Sequence, residues 1–189
     1  MEYSAQFIDV NQNSNDISSH LCRVDINSFS SRSTIRREVL VCKNNQPVII
    51  LGIFAEIDED GYLLEQCFCD VLCNDKTIAV LYGQHAHLFD IASSEVKSIF
   101  LHDYVGYLYP VPDIFAEVLS DTFLVATFSY IFLVDINTGI VWQSKQCAID
   151  GVIINDIRNN IIYGSGEWDP PDGWEPFWLS LSNGNFVKP

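Results

Sequence analysis

The chain has 189 residues, of which 48% are hydrophobic, 13% aromatic and 19% charged, and its 25 acidic against 10 basic side chains give a formal net charge of −15. That is ample apolar material for one domain with a core, and too much for a disordered chain. A surface this acidic repels nucleic acid and anionic membrane and attracts basic partners.

The charge is regional. The first 43 residues hold 5 acids and 5 bases, whereas from Asn44 onward there are 20 acids against 5 bases. No positively charged start leads into an apolar run, and no stretch approaches the about 18 uninterrupted apolar residues that a membrane span needs. Six cysteines (Cys22, Cys42, Cys67, Cys69, Cys73 and Cys147) in a chain with no visible secretory signal read as free thiols. Together these features predict a cytoplasmic protein.

In chain order, Met1–Val10 alternates loosely and predicts an edge strand, followed by a polar loop over Asn11–Ser19. His20–Asn27 and Ile35–Lys43 read as two strands joined by the Ser-rich link Ser28–Thr34. Lys43-Asn44-Asn45-Gln46-Pro47 is a turn, and Val48–Ile57 is a buried strand. Asp58-Glu59-Asp60-Gly61 is a hairpin turn in which Gly supplies positive φ, and Tyr62–Phe68 returns.

Beyond the punctuation Asn74-Asp75-Lys76 the chain repeats itself. Ile78–Lys97 and Phe123–Gln143 are copies 45 residues apart: with Asp90 on Asp135, Ile91 meets Ile136, Leu88 meets Leu133 and Val80 meets Val125. A weaker third copy places Trp178–Gly184 under Leu133–Gly139. Each unit predicts a first strand (Ile78–Tyr82, Phe123–Phe128), a second (Ala86–Ile91, Tyr130–Ile136), a turn (Ala92-Ser93-Ser94, Asn137-Thr138-Gly139) and a third (Glu95–Leu101, Ile140–Gln143). Links this short force antiparallel hairpins. Asp113–Ser120 suits either a short helix after Pro112 or the outer strand of a unit, and the repeat context favours strand. A period of 40–45 residues with short strands is the signature of propeller blades. The prediction is a single all-β domain over residues 1–189, with irregular strands over 1–75 and antiparallel, propeller-blade-like sheets over 76–189.

The segment LVATFSYIFLVDINTGIVWQ resembles a blade of quinoprotein-type or WD-type β-propellers, in which a strand pair ends in an Asp–turn–Gly element and then an aromatic. The resemblance covers Ile78–Val187 better than the first 75 residues, which it covers poorly. At about 45 residues per blade the chain makes about four, fewer than most closed propellers. An incomplete or open propeller, a sandwich of blade-like sheets, and an oligomer completing a ring are the architectures this leaves. Gly164–Gly184, GSGEWDPPDGWEPFWLSLSNG, resembles a sequence found in small bacterial proteins, some of them similar to the immunity proteins of toxin–immunity systems.

Gly166–Pro176 is the most unusual segment. Its three prolines and two glycines predict a stiff loop between two strands of the last blade. It displays Glu167, Asp169, Asp172 and Glu175 beside Trp168 and Trp174, the combination of rigid aromatics and acids that binds a basic partner or a sugar. A second acidic cluster, Glu56, Asp58, Glu59 and Asp60, sits at a predicted hairpin tip, where solvation suits a charged patch and not the paired carboxylates of a glycosidase. Cys67 and Cys69 share a strand face, but neither CxxC nor HxxxH spacing occurs, so buried thiols are expected and not zinc. His85 and His87 also share a face, with His102 or Asp103 as a conceivable third ligand. The repeat places Tyr130 and Phe132 at their positions, so flat ring packing is expected. No nucleophile elbow, phosphate loop, HExxH or basic patch is present.

These features predict a non-enzymatic, cytoplasmic binding protein of bacterial type, with no cofactor and no metal. Its partner is a basic protein, most concretely a toxin for which this chain is the immunity partner. The alternatives are a propeller-type scaffold for other proteins and a carbohydrate-binding or hydrolytic domain.

Overall fold

The computed structural model describes residues 3–8, 21–27, 35–57, 60, 62, 68–111 and 119–188, and among them there are fifteen strands and no helix. The strands form four sheets. Blade 1 contains β1 (Tyr3–Ile8), β2 (Cys22–Asp25), β3 (Ile35–Lys43) and β4 (Gln46–Phe54), in the order β1-β3-β4-β2. Blade 2 is β5 (Cys69–Cys73), β6 (Thr77–Tyr82), β7 (His85–Asp90) and β8 (Val96–Phe100), paired in chain order. Blade 3 is β9 (Val105–Pro110), β10 (Thr122–Thr127), β11 (Ile131–Asp135) and β12 (Gly139–Gln143). Blade 4 is β13 (Val152–Arg158), β14 (Ile161–Glu167) and β15 (Trp174–Ser180), followed by a single bridge from Leu179 to Phe186.

The core lies between blades and not within them. Ile78, Val80 and Tyr82 of β6 pack with Val39, Val41, Leu51 and Ile53 of blade 1. The intervening Ala79 and Leu81 pack the other way, against Phe123, Val125 and Phe132 of blade 3. Leu124, Ala126 and Ile131 then meet Ile154, Ile162 and Phe177 of blade 4. This two-sided burial is why β6 and β10 read as near-continuous apolar runs and not as alternating strands. Each buried Val, Leu, Ile or Phe among them contributes about 1.5–3 kcal/mol of transfer free energy. Among the described residues no core cluster joins blade 4 to blade 1, so the blades form an open propeller arc.

The ladders define two ends of the arc. Cys69 pairs with Tyr82, Val105 with Thr127 and Val152 with Gly166, so each inner strand starts where the strand beside it finishes. The inter-blade linkers and the β6–β7, β10–β11 and β14–β15 connections share this end, here the linker face. The β7–β8 and β11–β12 connections lie at the opposite end, the turn face.

The turn face keeps the sequence period. Asp90 accepts the N–H of Ala92 (3.0 Å) and Ser93 (2.7 Å) and the Ser93 hydroxyl (3.0 Å). Asp135 accepts the N–H of Asn137 (2.9 Å) and Thr138 (2.7 Å) and the Thr138 hydroxyl (3.1 Å). These bonds, led by the Ser93 and Thr138 backbone N–H groups, hold both carboxyls below their usual range. In the third copy Ser180 stands in the place of the aspartate, and its hydroxyl meets that of Ser182 at 2.8 Å. Each turn closes on a left-handed residue: Ser94 (φ 60°), Gly139 (φ 100°) and Gly184 (φ 68°), again 45 apart.

Blade 1 is out of phase with the others. The Tyr3 carbonyl accepts from the Cys73 thiol at 3.3 Å, so β1 starts beside the far end of β5 and runs opposite to it, as a second strand runs against an inner one. Asn44 and Asn45, at φ 48° and 63°, then form the turn-face connection of this blade. Thus β1, β3 and β4 occupy the second, third and fourth lanes, and among the described residues no strand fills the inner lane. The two strands on either side of the Ser-rich link are not neighbours: β2 runs parallel to β4, with Cys22 opposite Ile49 and Asp25 opposite Gly52. The buried Asn27 locks this edge through two bonds to the Phe54 backbone, at 2.7 and 2.8 Å.

The repeated strands form where the sequence predicts them. The inner strands β5, β9 and β13 are additional to that reading. The predicted loops 11–19 and 28–34, most of the returning strand Tyr62–Phe68 and most of Asp113–Ser120 lie outside the described residues.

Candidate functional site

The linker face is organised by carboxylates that cap the next blade. Glu56, in the linker after β4, accepts the N–H of Gln84 at 3.0 Å and lies 2.9 Å from Nδ1 of His85. Asp103, in the linker after β8, accepts the Thr127 hydroxyl (2.6 Å) and the Ser129 N–H (2.7 Å) on one oxygen and the Tyr104 N–H (2.9 Å) on the other. A turn N–H left without an acceptor would cost about 1–3 kcal/mol, so these side chains fix how one blade meets the next. In the linker after β12 the alanine Ala148 precedes Ile149, and the backbone takes over: Cys147 N–H reaches the Ser129 carbonyl (2.8 Å) and Ile149 N–H the Glu167 carbonyl (2.9 Å).

That last linker seats the Pro-rich loop. β14 ends at Glu167 and β15 begins at Trp174, and these two residues pair across the ladder. Residues 168–173 form the loop, closed by Trp168 N–H to the Gly173 carbonyl (2.8 Å) and Gly173 N–H to the Asp169 carbonyl (2.8 Å). A β-carbon on Gly173 would stand 2.6 Å from the Asp169 nitrogen, so only glycine allows this closure. Trp168 and Trp174 are 39% and 40% exposed, and Asp169, Asp172 and Glu175 are exposed beside them. Glu167 corrects the sequence reading. It is 9% exposed and belongs to the base of the hairpin, so the loop displays three of the four expected carboxylates.

The second acidic cluster also divides. Glu56 is 3% exposed and serves the blade contact described above, so it is not part of a solvated tip. Asp60 is exposed, and Asp58 and Glu59 lie outside the described residues. The structure therefore unites Trp168, Asp169, Asp172, Trp174 and Glu175, and separates Glu56 from them.

The histidines pack as flat rings. His85 stacks on His87 (5.5 Å, 12°) and on Phe100 (4.9 Å, 25°). His87 is buried with Nδ1 2.9 Å from the Ser98 hydroxyl, and burial, reinforced by His85, pushes its pKa down to about 3. Asp103 is engaged with blade 3 and not with these imidazoles. Among the described residues no three His, Cys, Asp or Glu side chains converge as a metal ion would require. Cys67 lies outside the described residues. Burial raises the thiol pKa of Cys69 and Cys73, and that of Cys147 to about 11.

Aromatic rings complete the face. Phe68 precedes β5, Tyr104 lies in the second linker, Tyr107 is in β9 and Phe128 is in the β10–β11 connection. Phe68 touches Tyr107 and Phe128 at 5.6 and 5.8 Å, and Tyr104 touches Phe128 at 5.6 Å. The sequence reading did not single out these residues. Their only signal was aromatics recurring next to strand boundaries.

No protein family profile matches the sequence, and no curated protein matches it. Among solved structures, the hydrazine synthase of Kuenenia stuttgartiensis superposes with a TM-score of 0.52 at 12% identity, over 96% of this chain and 51% of that one. The WD40 domain of Pan2 from Neurospora crassa aligns with a TM-score of 0.49 at 16% identity, over 80% of this chain and 46% of that one. The chain thus spans about half the length of the structures it matches. The hydrazine synthase likeness concerns the fold, and it agrees with the propeller arc seen in the strand order.

Proposed function

We propose that this chain is a non-enzymatic protein-binding scaffold whose linker face engages a basic partner. In its most specific form it is an immunity protein that neutralises a basic toxin. One observation carries the reading: two half-exposed tryptophans on a loop closed at its base, flanked by three exposed carboxylates, in a protein of net charge −15. Rigid aromatics lose little entropy on binding and supply the desolvated anchors of an interface, while surrounding charge accelerates encounter.

The test is capture of a partner from the source cell, followed by kinetics on loop variants. Trp168→Ala and Trp174→Ala should raise the off-rate, with a loss of about 2 kcal/mol for an anchor. Asp169→Lys with Asp172→Lys should mainly slow association, and rising salt should do the same. A captured partner whose binding ignores both classes of variant, with the fold intact, removes the loop from the interface. A captured partner without toxic activity leaves the scaffold and ends the immunity reading.

A further inference from the structure

We infer that the linker face carries a receptor for a cationic side chain, formed by Phe68, Tyr104, Tyr107 and Phe128 where blades 2 and 3 meet. This rests on the reading that the partner is basic, and it names the group on that partner which is recognised. The four rings pack tilted or edge-on, at 58° between Phe68 and Tyr107, 75° between Phe68 and Phe128, and 55° between Tyr104 and Phe128. In such pairs the edge of one ring rests on one face of the other, and the second face, which also carries the negative end of the aromatic quadrupole, is not used by that contact. Phe68 and Tyr107 are 38% and 42% exposed, and Tyr104 and Phe128 are half-buried behind them.

The cluster is built before any partner arrives. Phe128 N–H donates to the Tyr104 carbonyl at 2.9 Å, and Tyr104 N–H donates to Asp103, which also holds Thr127 and Ser129. A second carboxylate, Asp70, lies two residues beyond Phe68 and accepts the N–H of Leu108, the neighbour of Tyr107, at 2.8 Å. Two carboxylates are therefore fixed on backbone N–H groups of the linker and strand that carry Tyr104 and Tyr107. Lys97 is held by the Asn137 carbonyl at the turn face (2.7 Å) and Arg158 lies over Tyr163 in blade 4 (4.6 Å), while the charge of Arg37 reaches Cys69, between Phe68 and Asp70. An apolar ligand would gain from the rings alone. A guanidinium or ammonium gains from rings and carboxylates together.

The test titrates isotopically labelled full-length protein with acetyl-Gly-Arg-Gly-amide and with its neutral citrulline counterpart, following amide shifts by NMR. The arginine peptide should bind roughly fivefold more tightly and shift Phe68, Tyr107 and Ser129. Tyr107→Phe should keep that preference. Tyr107→Leu, which retains bulk at an exposed position, should abolish it, with thermal melts confirming the fold. Equal affinity for the two peptides, no binding of either, or a preference that survives Tyr107→Leu overturns the receptor. Arginine-dependent shifts confined to residues 168–174 also overturn it, while leaving the loop as the interface. Partner capture lost in the tryptophan variants and unchanged in Tyr107→Leu separates the two readings in the same way.

Discussion

At the turn face, the connections between third and fourth lanes recur every 45 residues, and each is closed by its own polar atoms: Asp90 on Ser93, Asp135 on Thr138, Ser180 on Ser182. At the linker face the second and third lanes are joined by Gly83-Gln84, by residues 128–130 and by residues 168–173, and the first two of these connections are capped by carboxylates of the preceding linker. One end of the molecule is therefore local and repetitive, and the other is non-local and individual. A turn satisfied by its own residues can be copied unchanged from blade to blade. A turn satisfied by a neighbouring linker couples blades, and it can also change length and display side chains without disturbing the ladder.

The comparison breaks most visibly if the two kinds of carboxylate prove equally important. Asp103→Ala strands the backbone N–H groups of Tyr104 and Ser129 at a blade junction, while the Thr127 hydroxyl keeps the Tyr130 carbonyl (3.1 Å), and urea unfolding should show a loss of about 2–3 kcal/mol. Acid unfolding tests the packed strands between the two faces. His87 has a folded pKa of about 3 against an ordinary value of 6.5, so between those values the unfolded chain takes up a proton that the folded chain refuses. Its full contribution is present above pH 6.5, and stability should fall by about 1.4 kcal/mol per pH unit as pH drops toward 3. His87→Phe, copying Phe132 of blade 3, should flatten that slope. Asp135→Ala, a local turn loss, should cost about 1 kcal/mol. Because its carboxyl titrates below the usual range in the folded state, its contribution is present above the ordinary aspartate pKa and is lost only as pH falls through the depressed folded value. Ser180→Asp, which restores the aspartate of the other two copies, should stabilise by about 0.5 kcal/mol in the same urea assay.

Blades 2 and 3 were legible because Asp90 and Asp135, with their repeated apolar flanks, report strand and turn within a few residues. The inner strands were not, because the link that follows each one changes length, from Asn74-Asp75-Lys76 after β5, through residues 111–121 after β9, to Asn159-Asn160 after β13. A fixed offset cannot align strands across such links. The roles of Glu56 and Asp103 were hidden for a related reason. Their partners, Gln84 and Ser129, are 28 and 26 residues away, and the bond is made to backbone, which leaves no mark on the partner's identity. The loop 168–173 was legible from its prolines, glycines and tryptophans. The inward place of Glu167 breaks the alternation of β14, which buries Ile162, Gly164 and Gly166, so the strand period gave no sign of it.

An arc, unlike a ring, has ends. Blades 2 and 3 each share a core with two neighbours, whereas among the described residues blades 1 and 4 each share one. Opening a terminal blade therefore sacrifices one interface, and opening a central one sacrifices two, as in a linear chain of nearest-neighbour couplings. Native-state hydrogen exchange should follow this gradient. Amides of β6, β7, β10 and β11 exchange only through global unfolding, and those of the terminal sheets exchange through partial openings of lower free energy. The loop 168–173 stands on one of those less protected blades, so a partner that grips it would slow exchange throughout blade 4, well beyond the residues it touches.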